Sequence, residues 1–303
     1  MKDAILIGLI TAILVCVPIS IAIDDSVTES NSINDSNENQ SLGRYYLDRS
    51  GFETNLIIKS PAPDTYRNEL PPIGVSEVTY DSGNLTLKAW LSDKPADDVK
   101  HPAVVYAHGG FSFGTRSEWA AAQEFANQGF VAMTPMLRAE NGNPGNFELY
   151  YGEVDDIIAS ADFLANVSYV DPNRIFLFGH SAGGTVSMLA SMMPSKYRAI
   201  ASLGGSPDQD ASFSFGLRSI VPFDLANRKE IELRSPTLYP DSVTKPLFLY
   251  VGNRDVSYLA PTEEFARKIN ESGGTCKMVV VNGDHFSSLG EAIGLSIEEF
   301  KKY

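Results

Sequence analysis

Gly179-His180-Ser181-Ala182-Gly183 spells the pattern G-x-S-x-G. The apolar run Ile175 to Phe178 precedes it and a helical stretch from Gly184 follows, so the serine falls on a sharp strand-to-helix turn. Such a turn needs small neighbours, which gives Gly179 and Gly183 a steric reason and leaves His180 as its variable residue. Ser181 then stands at a helix N-terminus, where the backbone N–H of Ala182 faces a developing oxyanion. A serine hydroxyl is a weak nucleophile without a base, and the chain has only four histidines, His101, His108, His180 and His285. For a serine on such a turn the partners follow in the order acid, then histidine, so His285 alone qualifies as base. Its loop, Gly283-Asp284-His285-Phe286, follows the apolar run that ends at Val281. The acid should follow another strand at the same edge, and Asp255 does so, just after the run Leu247 to Gly252. Asp284 and Asp241 remain alternatives for that role.

A second oxyanion donor is expected on the loop after the run Ala103 to Ala107, which reads His108-Gly109-Gly110-Phe111. Gly109, Gly110 and Phe111 are therefore candidates beside Ala182, since glycine lets a backbone N–H approach a substrate closely. A tight turn without a catalytic part is the alternative. No cofactor and no metal is expected: there is no H-E-x-x-H, and the two cysteines, Cys16 and Cys276, form no zinc pattern.

The elements that must position these groups read as an α/β alternation. Val75 to Tyr80 and Leu85 to Leu91 flank a turn and predict an antiparallel hairpin. Compact apolar runs follow at Ala103 to Ala107, Phe130 to Pro135, Ile175 to Gly179, Ala199 to Leu203, Leu247 to Gly252 and Cys276 to Val281, as for buried parallel strands. Helical patterns separate them at Glu118 to Gln128, Gly152 to Asn166, Gly183 to Met192, Thr262 to Ser272 and Ser287 to Lys302. The pattern predicts a mostly parallel, doubly wound sheet of about eight strands with an antiparallel start. The connection at about 204–244 is too long for one crossover helix and rich in aromatics, so it reads as a cap over the carboxyl edge. Together with Phe111, Phe113 and Trp119 it is expected to build the acyl pocket.

The 303 residues carry a formal charge of −14, which disfavours nucleic acid as a partner. Residues 4–23 form a run of 20 without a charge. Residues 1–22 thus read as a signal peptide or an N-terminal membrane anchor, with Ser20-Ile21-Ala22 as a cleavage signal and a lipid-bearing Cys16 as a weaker reading. Residues 23–43 read as a disordered polar linker and 44–303 as the folded domain. The location expected is secreted, or anchored to the outer face of the cytoplasmic membrane. N-x-S/T sequons stand at Asn34, Asn39, Asn84, Asn166 and Asn270, where plain polar surface is the simpler reading.

The segment Tyr150 to Gly184, with VVYAHGGF upstream and Asp255 and His285 downstream, resembles the catalytic domain of the prolyl oligopeptidase (S9) family of serine peptidases. It is also similar to the dienelactone hydrolases and acetyl esterases that share the α/β-hydrolase fold. The resemblance covers roughly residues 75–303. It implies Ser181 as nucleophile, Asp255 as acid, His285 as base, and the HGGF loop with Ala182 as oxyanion hole. The family's oligopeptidases usually carry a β-propeller before this domain, whereas only about 30 residues lie here between linker and hydrolase, which gives esterase action more weight. The function expected is an extracytoplasmic serine hydrolase acting on small esters or short peptide-like amides. The alternatives are a binding or adhesion protein that kept the fold and lost the reaction, and a lyase or transferase using the same triad.

Overall fold

A computed structural model describes residues 43–303; the expected leader, its Cys16, the sequons at Asn34 and Asn39 and nearly all of the linker lie outside them. A short helix α1 (Arg44–Ser50) and an extended stretch lead into the hairpin β1 (Val75–Ser82) and β2 (Leu85–Ser92). Then come β3 (His101–Ala107), α2 (Arg116–Ala126), β4 (Val131–Pro135), α3 (Gly152–Ala165), β5 (Val170–His180), α4 (Ala182–Ala190) and β6 (Tyr197–Leu203). After the short helices α5 (Gln209–Ala211) and α6 (Arg228–Glu232) follow β7 (Leu247–Gly252), α7 (Val256–Glu271), β8 (Cys276–Val281) and α8 (Leu289–Phe300). The eight strands form one sheet in the order β1-β2-β4-β3-β5-β6-β7-β8. β1 and β2 pair antiparallel, as do β2 and β4, and every later pair is parallel.

Two-residue alternation sends the strands' side chains to two cores. Val105, Leu177, Ile200 and Leu249 pack under α3, α4 and α7, whereas Val104, Phe176, Phe178, Phe248 and Tyr250 pack under α2 and α8. Parallel strands covered on both faces read as unbroken apolar runs for this reason. β8 departs from that expectation. It is the edge strand, paired only to β7, and Val280 is 53% exposed. α7 starts six residues earlier than the sequence pattern suggests and runs through Pro261, so the helix leaves directly from Asp255.

The 204–244 connection folds as α5, a π turn at Ser212–Gly216, α6 and three 3₁₀ turns. It is less a free cap than a thickening of the core. Phe213, Phe223, Ile231, Leu233 and Tyr239 are buried in the same cluster as α3 and α4. The segment before the sheet is stitched to it: Tyr45 donates its hydroxyl to the Leu233 carbonyl, and Leu56 bridges Phe223. Arg234, fully buried, ties the parts together. It pairs with Glu230 at 2.7 Å, donates to the Leu149 carbonyl and to Thr54 Oγ1, and lies over the Phe223 ring at 4.0 Å.

Candidate active site

β5 delivers the chain to the turn and α4 takes it away, which leaves Ser181 at φ 56°, ψ −117°, a conformation costly for a residue with a Cβ. The tertiary contacts that impose it are visible. The Ser181 N–H donates to the Leu203 carbonyl, and Gly183 N–H donates to the His108 carbonyl. A Cβ on Gly179 would come within 2.2 Å of the Gly183 carbonyl oxygen, and one on Gly183 within 2.2 Å of the Ala107 carbonyl oxygen. No side chain fits at either flank.

Ser181, His285 and Asp255 come together from the ends of β5, β8 and β7. His285 Nε2 lies 2.8 Å from Ser181 Oγ, and Nδ1 lies 2.6 Å from Asp255 Oδ2. A carboxylate can only accept, so Nδ1 carries the proton and Nε2 presents a lone pair to the hydroxyl. Gly204, at φ 60°, makes room for the ring, since a Cβ there would sit 2.9 Å from His285 Cε1. The rival acids are engaged elsewhere. Asp284 accepts the N–H groups of Phe286 and Ser287 and the Ser287 hydroxyl, which hold its carboxyl down to about 2. Asp241 faces Arg44.

Two further histidines, set aside in the sequence as bases, brace the site. His180 Nε2 donates to the His285 carbonyl at 2.8 Å, and burial holds the His180 ring below its usual value. His108 is buried at the head of the glycine loop, with Nε2 against Glu140 and Nδ1 against the Gly109 carbonyl. Burial alone would lower it, but the charge and hydrogen bond of Glu140 outweigh that and raise it. Glu140 also accepts the Leu137 N–H. Nothing in the spacing of His108 and Glu140 announces the pair; only the approach of the β3 and β4 loops creates it.

Of the glycine-loop candidates, Phe111 is corrected. Its N–H donates to Asp64 Oδ2 at 2.8 Å, so that amide is engaged in holding the loop. Gly109 and Gly110 remain, with Gly109 packed against Ser181. Ala182 opens α4, and the first N–H groups of a helix have no acceptor within it. Among the described residues, no group of three His, Cys, Asp or Glu side chains is placed to hold a metal ion.

The sequence pattern of the prolyl oligopeptidase family matches residues 118–299, more than half of the chain. The chain belongs to this family. The uncharacterized peptidase YtmA of Bacillus subtilis is 25% identical over 186 residues, 59% of this chain and 72% of that protein. Among solved structures, dipeptidyl peptidase 4 of Porphyromonas gingivalis superposes with a TM-score of 0.64 at 19% identity, over 75% of this chain. The chain spans only 35% of that larger protein. The esterase PF2001 of Pyrococcus furiosus gives a TM-score of 0.65 at 19% identity, over 81% of this chain and 98% of its own. These likenesses establish the α/β-hydrolase fold.

In this prolyl oligopeptidase family member two clefts meet at Ser181. One, of about 800 Å³, has His285, Phe286 and His180 in its wall and the carboxylates of Asp64, Glu118 and Glu124 around it. The other, of about 240 Å³, lies on the Ala182 side, between Phe111, Tyr150, Tyr258 and the α5 region of the insertion. Phe111 thus lines a pocket as expected, but Phe113 and Trp119 do not. Both are buried against Trp90, at ring distances of 5.0 and 6.3 Å, because their positions face the α2 core.

Proposed function

We propose that this chain is a serine hydrolase that cleaves small carboxylic esters or short peptide-like amides through an acyl-enzyme on Ser181. The Asp255–His285–Ser181 hydrogen-bond chain carries this reading. As Oγ attacks the acyl carbon, His285 Nε2 takes its proton, and Asp255 stabilises the imidazolium while staying ionised. The oxyanion is held by the N–H of Ala182 and an amide of the Gly109-Gly110 turn. His285 then returns the proton to the leaving oxygen or nitrogen as its bond to the acyl carbon breaks. Water, deprotonated by the same imidazole, attacks the Ser181 ester, and the acid departs with Oγ reprotonated. Hydrolysis of either ester or amide fits a family whose relatives bear both peptidase and esterase names. The uncharged run at residues 4–23 supports a location outside the cytoplasmic membrane.

The test is turnover of p-nitrophenyl esters of increasing chain length beside aminoacyl amides. Ser181→Ala and His285→Ala should each lose on the order of 10³-fold or more in kcat. Full activity of Ser181→Ala would overturn the reading.

A further inference from the structure

The general acid must reach the leaving group, so the leaving group belongs in the cleft that His285 lines, and the acyl part belongs in the smaller pocket beside Ala182. None of the residues that line this acyl pocket is charged, yet its wall is polar, with Thr185, Ser206, Gln209, Ser212 and the rings of Tyr150 and Tyr258. The hydroxyl hydrogens of Ser206 and Thr185 in this wall are directed into the protein. Ser206 Oγ donates to the Asp208 carbonyl at 2.7 Å, and Thr185 Oγ1 donates to the Ser206 carbonyl at 3.4 Å. Gln209 is 0% exposed, and its Nε2 donates to the Ser206 carbonyl at 2.8 Å. That bond fixes the amide orientation, because a flipped amide would set oxygen against oxygen. Gln209 Oε1 is left buried with no partner. A buried acceptor without a donor carries a desolvation cost that a ligand's N–H or O–H would relieve.

We propose that the acyl pocket selects a compact, neutral acyl side chain that donates a hydrogen bond to Gln209 Oε1, such as a carboxamide or hydroxyl group. The inference rests on the serine-hydrolase reading and narrows its substrate class. An apolar side chain of the same size leaves Oε1 unpaired. An ammonium side chain meets no counter-charge in the wall and bears its full desolvation cost. Gln209 is then a specificity-determining residue that takes no part in the proton transfers.

The experiment compares kcat/KM for the p-nitrophenyl esters of N-acetylasparagine and N-acetylleucine, which are close in size, with the wild-type chain and with Gln209→Met. The wild type should favour the asparaginyl ester by about tenfold, and the preference should vanish in Gln209→Met. A wild-type ratio below about 3, or a ratio that survives in Gln209→Met, overturns the proposal. The wild-type ratio decides alone if the variant does not fold. Cleavage of both esters without discrimination defeats only this inference, whereas cleavage of neither, with no labelling of Ser181 by a fluorophosphonate, defeats the catalytic reading beneath it.

Discussion

His180, the residue before the nucleophile, donates from Nε2 to the backbone carbonyl of His285, 105 residues further on, at 2.8 Å. The turn that presents the serine thus also holds the loop that presents the base. This bond positions the imidazole by holding the loop that carries it. His180→Ala should lower kcat roughly tenfold with little change in KM, since misplacing the base costs rate rather than affinity. Steady-state kinetics on a p-nitrophenyl ester checks it; an unchanged kcat would remove His180 from the positioning role.

A methyl group at Gly179 or Gly183 would penetrate backbone to 2.2 Å. Gly183→Ala should therefore destabilise the fold by about 3 kcal/mol or more, because strand and helix must part to admit it. Gly290→Ala is the control, since a Cβ there meets nothing within 4 Å. Denaturant unfolding of the two variants should separate them clearly.

Asp64 reaches the glycine loop from the extended segment before the sheet and accepts the Phe111 N–H. Asp64→Ala frees that loop and should lower kcat roughly fivefold, while Asp64→Asn, which keeps a side-chain carbonyl to accept the bond, should retain most of it. Equal losses in both variants would point instead to the charge of Asp64.

Glu153 holds the strained Leu149-Tyr150 corner, at φ 51° and 71°, by accepting the N–H groups of Glu148, Leu149 and Tyr151. Burial, reinforced by the charge of Glu148, pushes its carboxyl up to about 7. A raised acid binds its proton more tightly folded than unfolded. Its contribution therefore declines as pH rises from about 4.5 to 7, by about 3 kcal/mol in all, and is flat above that. Unfolding free energies measured from pH 4.5 to 8 should fall more steeply in the wild type than in Glu153→Gln, which does not titrate. Parallel curves would contradict the assignment.

The sheet and the meeting of Ser181, Asp255 and His285 were legible because each depends on local sequence: apolar runs between helical patterns, a small-residue turn, and single candidates after strands. The braces were not. His108 with Glu140, Asp64 with Phe111, and Arg234 with Thr54 and Leu149 are contacts between loops far apart in the chain, with no periodicity to mark them. The assignment of Phe113 and Trp119 to a pocket failed for a related reason, since an aromatic near a loop reads alike whether it faces a cleft or a core. β8 was legible as a parallel strand with the bounds it has, but its place at the sheet edge was not, because an apolar run reads alike whether one or both of its sides are paired.

The central claim is that Ser181 is a nucleophile made reactive by the folded arrangement of His285 and Asp255. Labelling of the native protein with a fluorophosphonate, followed by peptide mass spectrometry, tests it most directly. One adduct per chain on Ser181, abolished by prior unfolding and strongly reduced in His285→Ala, is the predicted result. An unlabelled Ser181, or labelling as fast in the unfolded chain as in the native one, would contradict the account.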